Sequence, residues 1–248
     1  MSSTFLAYAW ASTPQRLAVA AGVTVCFALL ARGVRGVSRS GALAGGLACF
    51  ALFAGAGPGA FAALAALFAA TWVSTRLGYG RKQELGLAER RDGRNAVQVL
   101  ANLAVAAAGA LVFGVTGNGA WLVAVAAALT EAATDTVASE VGQAQRQDAW
   151  MITTGARVSA GTDGGITVFG TVAGLAAGLV IAVVAVGCGV VVQSRLWIPV
   201  VAGFVGMLAD SAMGATIQRR GWISNQGVNF FATLLAAVIA YGIVLAVG

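Results

Sequence analysis

The chain contains no histidine and few charged residues, and these two absences exclude most classes of soluble enzyme. Of its 248 residues, 10% are charged, against roughly a quarter in an ordinary soluble domain. Without histidine there can be no Ser-His-Asp triad, no Cys-His dyad and no imidazole metal ligand. The three cysteines, Cys26, Cys49 and Cys188, lie in apolar segments without metal-ligand spacing, so we assign them no functional role. Any chemistry must rest on carboxylates, amides, hydroxyls, arginine and the backbone.

Long apolar segments fill most of the chain, which is 59% hydrophobic. One membrane span needs about 20 mostly apolar residues, and eight such segments lie between clusters of charge. We therefore predict an all-α polytopic membrane protein, a single integral membrane domain over residues 1–248 with about eight transmembrane helices. The predicted spans are 17–31, 41–57, 59–73, 96–116, 118–139, 167–192, 197–215 and 228–247. The first segment resembles a signal peptide, but its basic residues follow the apolar run instead of preceding it, so we treat it as a retained helix.

The basic residues predict the orientation of these helices. Thirteen of the fifteen lysines and arginines fall in alternate loops, 32–40, 74–95, 140–166 and 216–227, and only Arg16 and Arg195 fall on the other side. Because basic residues near helix ends are retained in the cytoplasm, we predict that these four loops are cytoplasmic and that both termini face outward. The expected location is the inner cell membrane, with the functional site facing the cytoplasm. Arginines spread over short loops between apolar segments indicate a bilayer as partner and do not indicate nucleic-acid binding.

Two of the predicted helices end in the same polar pattern. Each pattern begins with an aspartate, a hydroxyl residue, two apolar residues and a small residue, and it has a glutamine eight positions after the aspartate. The two segments are Asp135 to Gln143 and Asp210 to Gln218. A similar pattern that lacks the carboxylates lies at residues 71–78. Helices rich in small residues can match by chance; a true repeat would make the chain a set of same-orientation helix hairpins, like the parallel repeats of some transporters. The polar cytoplasmic ends of the third, fifth and seventh helices would then gather around a common centre.

Five of the nine acidic residues lie inside or at the edges of the apolar helices: Glu131, Asp135, Glu140, Asp163 and Asp210. A carboxylate at the edge of hydrocarbon costs about 2 to 3 kcal/mol, so these five are expected to face a cavity, a partner or an ion. Oxygen ligands without histidine or cysteine favour Mg²⁺. Na⁺ or H⁺ would suit the same acids, so a cation-coupled membrane transporter is an alternative. The remaining acids are interpreted as solvated loop residues: Glu84, Glu89, Asp92 and Asp148.

A glycine-rich segment, Arg157-Val-Ser-Ala-Gly-Thr-Asp-Gly-Gly165, precedes the sixth predicted helix. Glycines and small hydroxyl residues at a helix N-terminus can present backbone N–H groups to a phosphate, although such a segment can equally be only a turn. Similar polar segments open the eighth and fourth helices, at 224–229 and 94–102. Asn95, Gln98 and Asn102 share one helical face, where they can contact a substrate or hydrogen-bond to a neighbouring helix.

Several of these segments together resemble one family of membrane proteins. They are 93–102, Thr134 to Gly142, Gly161 to Thr171, Gly206 to Ala215 and Asn225 to Asn229. In this order they resemble the family called domain of unknown function 92, which includes transmembrane protein 19 and plant phytyl-phosphate kinases, and the resemblance runs from about the second to the eighth helix. The chain departs from the family pattern at Asp163, where asparagine is usual, and at Val137, where an aromatic residue is expected. The first departure adds a negative charge beside the expected phosphate site.

The resemblance implies an enzyme that phosphorylates a prenyl monophosphate, such as phytyl or geranylgeranyl phosphate, to the diphosphate. The donor would be a nucleoside triphosphate, with CTP expected, and the cofactor would be Mg²⁺. A phosphate monoester is already ionised, so the transfer needs positioning and charge neutralisation but no histidine base. Besides the transporter, a CTP-dependent nucleotidyltransferase acting on a lipid phosphate is an alternative.

The resemblance also implies three groups of site residues. The catalytic and metal-binding carboxylates would be Asp135, Glu140 and Asp210, with Glu131 as a further metal ligand. The donor phosphates would be held by Arg157, Gly161, Thr162, Asp163, Gly164, Gly165 and Gln218. The lipid phosphate would be held by Lys82, Arg94, Asn95, Asn102, Asn225 and Asn229. The isoprenoid tail would lie between apolar helices.

Overall fold

The computed structural model describes residues 13–145 and 148–247, so Arg146, which the charge count assigned to a cytoplasmic loop, lies outside the described residues. In the described ranges eight helices are long and apolar enough to cross a membrane, which confirms the predicted polytopic helical class. The helices are α1 (Thr13–Gly33), α2 (Arg39–Ala56), α3 (Pro58–Arg76), the short α4 (Tyr79–Glu84), α5 (Ala96–Thr116), α6 (Ala120–Ala144), α7 (Val168–Gly187), α8 (Trp197–Met213) and α9 (Asn225–Val247). A single 3₁₀ turn, Gln193–Arg195, precedes α8.

Local signals in the sequence determine where several helices begin. Ser38 and Thr167 cap α2 and α7 through their side-chain oxygens. Asn95 and Gln98 form a reciprocal capping box at the start of α5. Pro58 occupies the first turn of α3, where its missing N–H costs no hydrogen bond. Each cap satisfies N–H groups that a helix end would otherwise leave unpaired.

Helix α6 lies at the centre of the bundle and packs against α3, α5, α7, α8 and α9. Its buried surface is built largely from alanine, and Ala127, Ala128 and Ala133 are completely enclosed. Small side chains let neighbouring helices approach closely, and in a membrane this close packing stabilises helix association. Large apolar side chains such as Leu29 and Val115 instead face outward, where a bilayer would cover them. The polar residues of α6 are therefore within reach of several neighbouring helices.

The contact between α6 and α7 requires glycine at position 174. A Cβ atom there would stand 2.4 Å from the carbonyl oxygen of Thr134 and 2.8 Å from the Cβ of Ala138. We predict that Gly174→Ala lowers the free energy of unfolding by about 1 to 3 kcal/mol, the usual cost of overpacking, as measured by SDS-induced unfolding in mixed micelles. The control is Gly187→Ala at the end of the same helix, where no atom lies within 4 Å of the added carbon. Equal stability of the two variants would contradict the prediction.

The segment between α6 and α7 contains a small antiparallel sheet that the sequence analysis did not predict. Its strands are β1 (Ala149–Met151), β2 (Arg157–Val158) and β3 (Gly165–Ile166), in the order β2-β1-β3. Trp150 pairs with Arg157 on one side and with Ile166 on the other. Strands of two or three residues are too short to show the alternation that identifies a strand in sequence. The sheet orders the glycine-rich segment at the end of the bundle.

The ends of three helices differ from the predicted spans. Helix α6 continues to Ala144, so Glu140 is a helical residue rather than part of a loop. Helix α8 ends in a π-helical turn, Gly214–Gln218. Helix α7 ends at Gly187, short of residue 192, because the backbone reverses at Gly189, whose φ is 72°. The polar ends of α6 and α8 are therefore structured parts of the bundle.

Candidate functional site

A small pocket lies where the ends of α6, α8 and α9 meet the glycine-rich segment before α7. Its volume is about 120 Å³, and we call it the acidic pocket. The side chains that line it from α6 and from α8 with its π-helical turn are Asp135, Ser139, Gln143, Asp210, Ser211 and Gln218. Residues 161–165 and Asn225 form the opposite wall. The two aspartates of the repeated pattern thus line one pocket, whereas the end of α3, which the repeat also predicted to lie at this centre, does not line it.

Three aspartates give the acidic pocket its charge. Asp135 and Asp163 lie close enough to Asp210 to act on it electrostatically, and the described residues that line the pocket include no lysine or arginine. Like charges brought together in this way repel each other strongly unless a cation or hydrogen-bond donors intervene. Asn229 supplies one donor when its amide nitrogen faces Asp210, 3.3 Å from Oδ2.

Glu131 lies one helical turn before Asp135 and is enclosed by the bundle. Its exposed fraction is 1%, and in the part of the chain that the structure describes its Oε1 atom has no hydrogen-bond partner. Helix α8 packs directly against it, since a Cβ at Gly206 would stand 2.6 Å from the Cγ of Glu131. It does not line the acidic pocket, although Asp135 and Asp210 act on it electrostatically. A buried carboxylate without a partner is costly, so a proton or a cation has to accompany it.

The acidic pocket contains side-chain oxygens of the type that Mg²⁺ prefers. Within the described residues, no three His, Cys, Asp or Glu side chains come together as a metal-ligand set. However, Mg²⁺ usually takes one or two carboxylates and completes its shell with water and phosphate oxygens. Asp135 and Asp210, with the uncharged oxygens of Ser139 and Gln218 in the same pocket, provide an incomplete shell of that kind. The magnesium site stays a prediction, with Asp135 and Asp210 as its protein ligands.

The glycine-rich segment forms a tight turn against the end of α8. Gly161 and Gly164 have φ values of 82° and 77°, which glycine adopts without strain. A Cβ at Gly164 would stand 2.5 Å from the backbone nitrogen of Ala215, so the close approach also requires glycine. Both glycines therefore fix the shape of the wall that faces Asp210.

The sequence predicted that the same segment lies at a helix N-terminus. In the structure it does not lie directly at one. It runs into β3, and α7 begins only after Thr167, whose side chain caps that helix. Two of its backbone N–H groups are used within the turn, since Thr162 donates to Ser159 at 3.2 Å and Gly165 donates to Thr162 at 2.8 Å. Arg157, predicted to bind the same phosphates, is exposed on β2 and does not line the acidic pocket.

A second and larger cavity lies between α1, α2, α3 and α5, and residues of α4 and α6 also line it. Its volume is about 520 Å³, and we call it the long cavity. Apolar side chains form its walls within the helices, including Phe27, Ala31, Leu64, Leu67, Phe68, Val99 and Leu103. Five arginines lie at one end of this cavity, which we call the arginine end. They are Arg35, Arg76, Arg90, Arg91 and Arg94. Binding cavities commonly measure about 300 to 1,000 Å³, so the long cavity can hold an apolar chain with an anionic group at the arginine end.

Arg94 lines one cavity and acts electrostatically on a residue of the other. It lines the long cavity, its NH1 group is 3.5 Å from the Thr136 hydroxyl on α6, and it acts electrostatically on Asp135. Two carboxylates flank it, with Glu140 Oε1 at 3.8 Å and Glu89 Oε2 at 3.9 Å. Its positive charge therefore lies at the arginine end of the long cavity, between Glu89 and Glu140, and also acts on Asp135 of the acidic pocket.

Glu140 belongs to a buried ion pair and does not line the acidic pocket. Its Oε2 atom is 2.5 Å from the Nζ of Lys82, and its Oε1 accepts a hydrogen bond from the Thr75 hydroxyl at 3.0 Å. Lys82 is completely buried, and its Nζ also donates to the carbonyl oxygens of Ser74 and Thr75 at 3.3 and 2.8 Å. Glu140 was predicted to bind metal, but it neutralises Lys82. Lys82 was predicted to bind the lipid phosphate, but its ammonium group donates to acceptors within the protein. We leave both out of the proposed metal and phosphate sites.

The four asparagines assigned to the lipid phosphate are divided among different places. Asn102 lines the long cavity. Asn95 does not, because its side-chain oxygen accepts hydrogen bonds from the first turn of α5. Asn225 lines the acidic pocket, and Asn229 contacts Asp210. Asn225 and Asn229 therefore lie at the acidic pocket and not at the cavity with the arginine end.

Arg76 is one functional candidate that the sequence analysis did not single out. Its guanidinium lies 3.8 Å from the centroid of the Trp72 ring and donates to the carbonyl oxygen of Val34 at 2.7 Å. The Trp72 indole donates to the same carbonyl at 3.1 Å. These contacts fix the end of α1 beside the arginine end. In the sequence, the contact between Trp72 and Arg76 could have been predicted from their spacing of one helical turn.

Glu89 is a second candidate, and its interpretation as a solvated loop residue was wrong. Its side chain is only 14% exposed and accepts a hydrogen bond from Gln98 Nε2 at 2.9 Å. Beside Arg94 it helps to orient the guanidinium. Nothing in the sequence distinguished it from its neighbours, because it lies in a loop crowded with charges of both signs.

The eight membrane-type helices of the described residues define an integral membrane protein, and an apolar cavity with a cationic end lies among them. The family described as "Integral membrane protein DUF92" matches residues 22–237. The chain belongs to this family, which confirms the resemblance found in its motifs.

Three relatives illustrate the breadth of the similarity. An uncharacterized membrane protein of the cyanobacterium Synechocystis sp. is 37% identical over 174 residues, 68% of this chain and 67% of the relative. An uncharacterized membrane protein of Methanocaldococcus jannaschii is 34% identical over 121 residues, 48% of this chain and 49% of the relative. The chloroplast protein VTE6 of Arabidopsis thaliana is 28% identical over 218 residues, 84% of this chain and 65% of the relative. No solved structure matches the chain.

Proposed function

We propose that this protein is a membrane-embedded prenyl-phosphate kinase, which transfers the terminal phosphoryl group of a nucleoside triphosphate to a prenyl monophosphate. The observation that carries the proposal is that Arg94 lines the long cavity and also acts electrostatically on Asp135 of the acidic pocket. An apolar cavity with an arginine end suits a lipid whose charged group is a phosphate. An acidic pocket with a glycine-rich turn suits a nucleotide that arrives with a metal ion. The resemblance to family members that phosphorylate phytyl phosphate supplies the substrate class, with phytyl or geranylgeranyl phosphate expected.

The reaction suits a site without histidine. The acceptor is a phosphate monoester whose oxygen is already anionic at neutral pH, so no base has to remove a proton. A new bond forms between this oxygen and the terminal phosphorus, the bond to the bridging oxygen breaks, and the nucleoside diphosphate leaves with the electron pair. Catalysis then consists of bringing two anions together and neutralising their charge. Arg94, with Arg35 and Arg76 at the same end of the long cavity, would neutralise the acceptor phosphate.

Asp135 and Asp210 would hold the Mg²⁺ ion in the acidic pocket. When bound there, the ion would supply positive charge to the phosphates of the donor. The turn at 161–165 would enclose these phosphates from the opposite wall, with Gln218 and Asn225 beside them. CTP is the expected donor, on the basis of the resemblance alone.

We place this site at the cytoplasmic face of the inner membrane. Support comes from the loops around the arginine end and the acidic pocket, which carry most of the basic residues of the chain and which the positive-inside rule assigns to the cytoplasm. A site on this face would receive the nucleotide from the cytoplasm and the prenyl phosphate from the bilayer.

The direct test is turnover by the purified protein in lipid nanodiscs. With geranylgeranyl phosphate, CTP and Mg²⁺, we expect geranylgeranyl diphosphate and CDP in equal amounts. Excess EDTA should stop the reaction, because the acidic pocket would then carry uncompensated negative charge, and added Mg²⁺ should restore it. Products are separated by chromatography and identified by mass spectrometry.

Other outcomes would contradict the proposal. Release of pyrophosphate with formation of a cytidylyl lipid would indicate a nucleotidyltransferase. Absence of product with every nucleotide and every prenyl phosphate, together with cation-dependent flux into sealed vesicles, would indicate a transporter that uses the same acids.

A further inference from the structure

The long cavity has a defined depth. On α3 its lining runs from Arg76 at the arginine end to Leu64, a distance of roughly 18 Å at 1.5 Å per helical residue. The hydrocarbon core of a bilayer is about 30 Å thick, so the cavity is about as deep as one leaflet. A prenyl chain of leaflet length would fill it, whereas a long polyprenyl chain would not fit.

Aromatic rings bound the inner end of the cavity. Phe27 of α1 lies edge-on to Phe68 and to Phe61 of α3, with ring centroids 5.4 Å apart in both pairs. Phe61 in turn contacts Phe53 of α2, at 6.0 Å between centroids. Phe27 and Phe68 line the cavity, and Phe61 and Phe53 lie behind them. Three helices thus contribute rings that pack together at the apolar part of the cavity, and Phe27 is the ring that α1 contributes.

Glycines keep the side wall of the cavity open. Gly45 and Gly46 of α2 both line it, and a Cβ at Gly45 would have its nearest neighbour at Val99 Cγ1, 3.7 Å away. That is ordinary van der Waals contact, so a larger side chain at position 45 would extend into the cavity without a backbone clash. The width there is therefore determined by the absence of a side chain.

We infer that the long cavity selects the length of the prenyl tail, with Phe27 setting the inner limit and Gly45 keeping the tail's path open. The inference rests on the proposed function for the identity of the substrate. It assigns the protein to prenyl phosphates of about geranylgeranyl length and excludes long polyprenyl phosphates. Phe27 and Gly45 are specificity-determining residues, because they would contact the tail and not the reacting phosphates.

Two variants with opposite expected effects test this inference. Wild-type protein, Phe27→Ala and Gly45→Leu are compared on farnesyl, geranylgeranyl and geranylfarnesyl phosphate, by equilibrium binding without nucleotide and by kcat/KM with CTP. Removal of the Phe27 ring should shift the preferred tail to geranylfarnesyl, and Gly45→Leu should shift it to farnesyl. The ratio of affinities for neighbouring tail lengths should change about tenfold or more in each case, because each extra isoprene unit then gains or loses apolar burial.

The matched control is Leu29→Ala on the same helix as Phe27, since Leu29 faces outward and does not line the cavity. Its tail-length preference should equal that of the wild type. If wild type and all variants share one preference, or if wild type binds all lengths equally, the inference is overturned even when turnover occurs. If binding depends on length and shifts with the variants but no phosphoryl group is transferred, the cavity selects tail length and the proposed reaction fails.

Discussion

Replacing Asp210 with asparagine should abolish phosphoryl transfer while leaving the fold intact. The substitution keeps the shape of the side chain and an oxygen that can accept the contact from Asn229, but it removes one of the two carboxylates proposed to hold Mg²⁺. We expect kcat to fall by about a hundredfold to a thousandfold, since loss of one preorganised electrostatic group at a reacting centre costs about that much. Asp135→Asn should have an effect of the same size. The measurement is the initial rate of CDP release with geranylgeranyl phosphate as acceptor.

Asp148→Asn is the matched control for this prediction. Asp148 is exposed and lies outside the acidic pocket, so its loss of charge should leave the rate unchanged. An Asp210→Asn protein that elutes as a single folded species and keeps more than a tenth of the wild-type rate would contradict the proposed role of the acidic pocket.

Replacing Glu140 with glutamine should cause a large loss of stability. The Lys82 side chain is completely buried and the Glu140 side chain only 13% exposed, so the variant leaves an ammonium group enclosed without its counter-charge. Breaking a buried ion pair from one side typically costs about 3 to 5 kcal/mol. We expect a decrease of this size in the free energy of unfolding, measured in mixed micelles with increasing SDS.

The double variant Lys82→Met/Glu140→Gln distinguishes charge from shape. Removing both charges should recover part of the lost stability, because a neutral pair avoids the desolvation cost of a lone ion. Asp92→Asn breaks the exposed Arg90–Asp92 pair, whose side chains are 71% and 50% exposed, and should change stability little. A Glu140→Gln variant as stable as Asp92→Asn would show that the buried pair does not stabilise this fold.

Much of the architecture was predictable because the membrane imposes strong rules on sequence. Each span must be predominantly apolar, so the eight helices of the described residues appear as eight long segments even without any information on packing. The meeting of Asp135 and Asp210 in one pocket was predictable for a different reason. Both occupy the same place in a repeated pattern, and similar hairpins with the same orientation bring equivalent positions to the same end of the bundle.

The role of Glu140 could not be predicted from its own surroundings in the sequence. It follows Asp135 by five residues and was assigned to the same metal site on the assumption that α6 ended nearby. The helix instead continues to Ala144, which turns Glu140 toward Lys82 on α4. That partner is distant in the chain, and its burial depends on how α3, α4 and α6 pack together.

The cavities and the short strands were beyond sequence reasoning for a related cause. The long cavity is space left between four helices, and its position depends on their tilts and separations rather than on any one residue. The π-helical turn at Gly214–Gln218 likewise gave no local signal, since its residues fit an ordinary helix equally well.

Under the proposed function, Arg94 would couple the binding of lipid and metal. Its guanidinium lines the long cavity and also acts on Asp135, so a lipid phosphate that draws the guanidinium toward itself would leave the charge of Asp135 less neutralised and better able to bind a cation. Linkage requires the reverse effect to be equal in free energy: a cation held at Asp135 must raise the affinity for the lipid phosphate by the same factor. Lipid and metal-bound nucleotide would therefore each be held loosely alone and tightly together, which favours the ternary complex over either binary one.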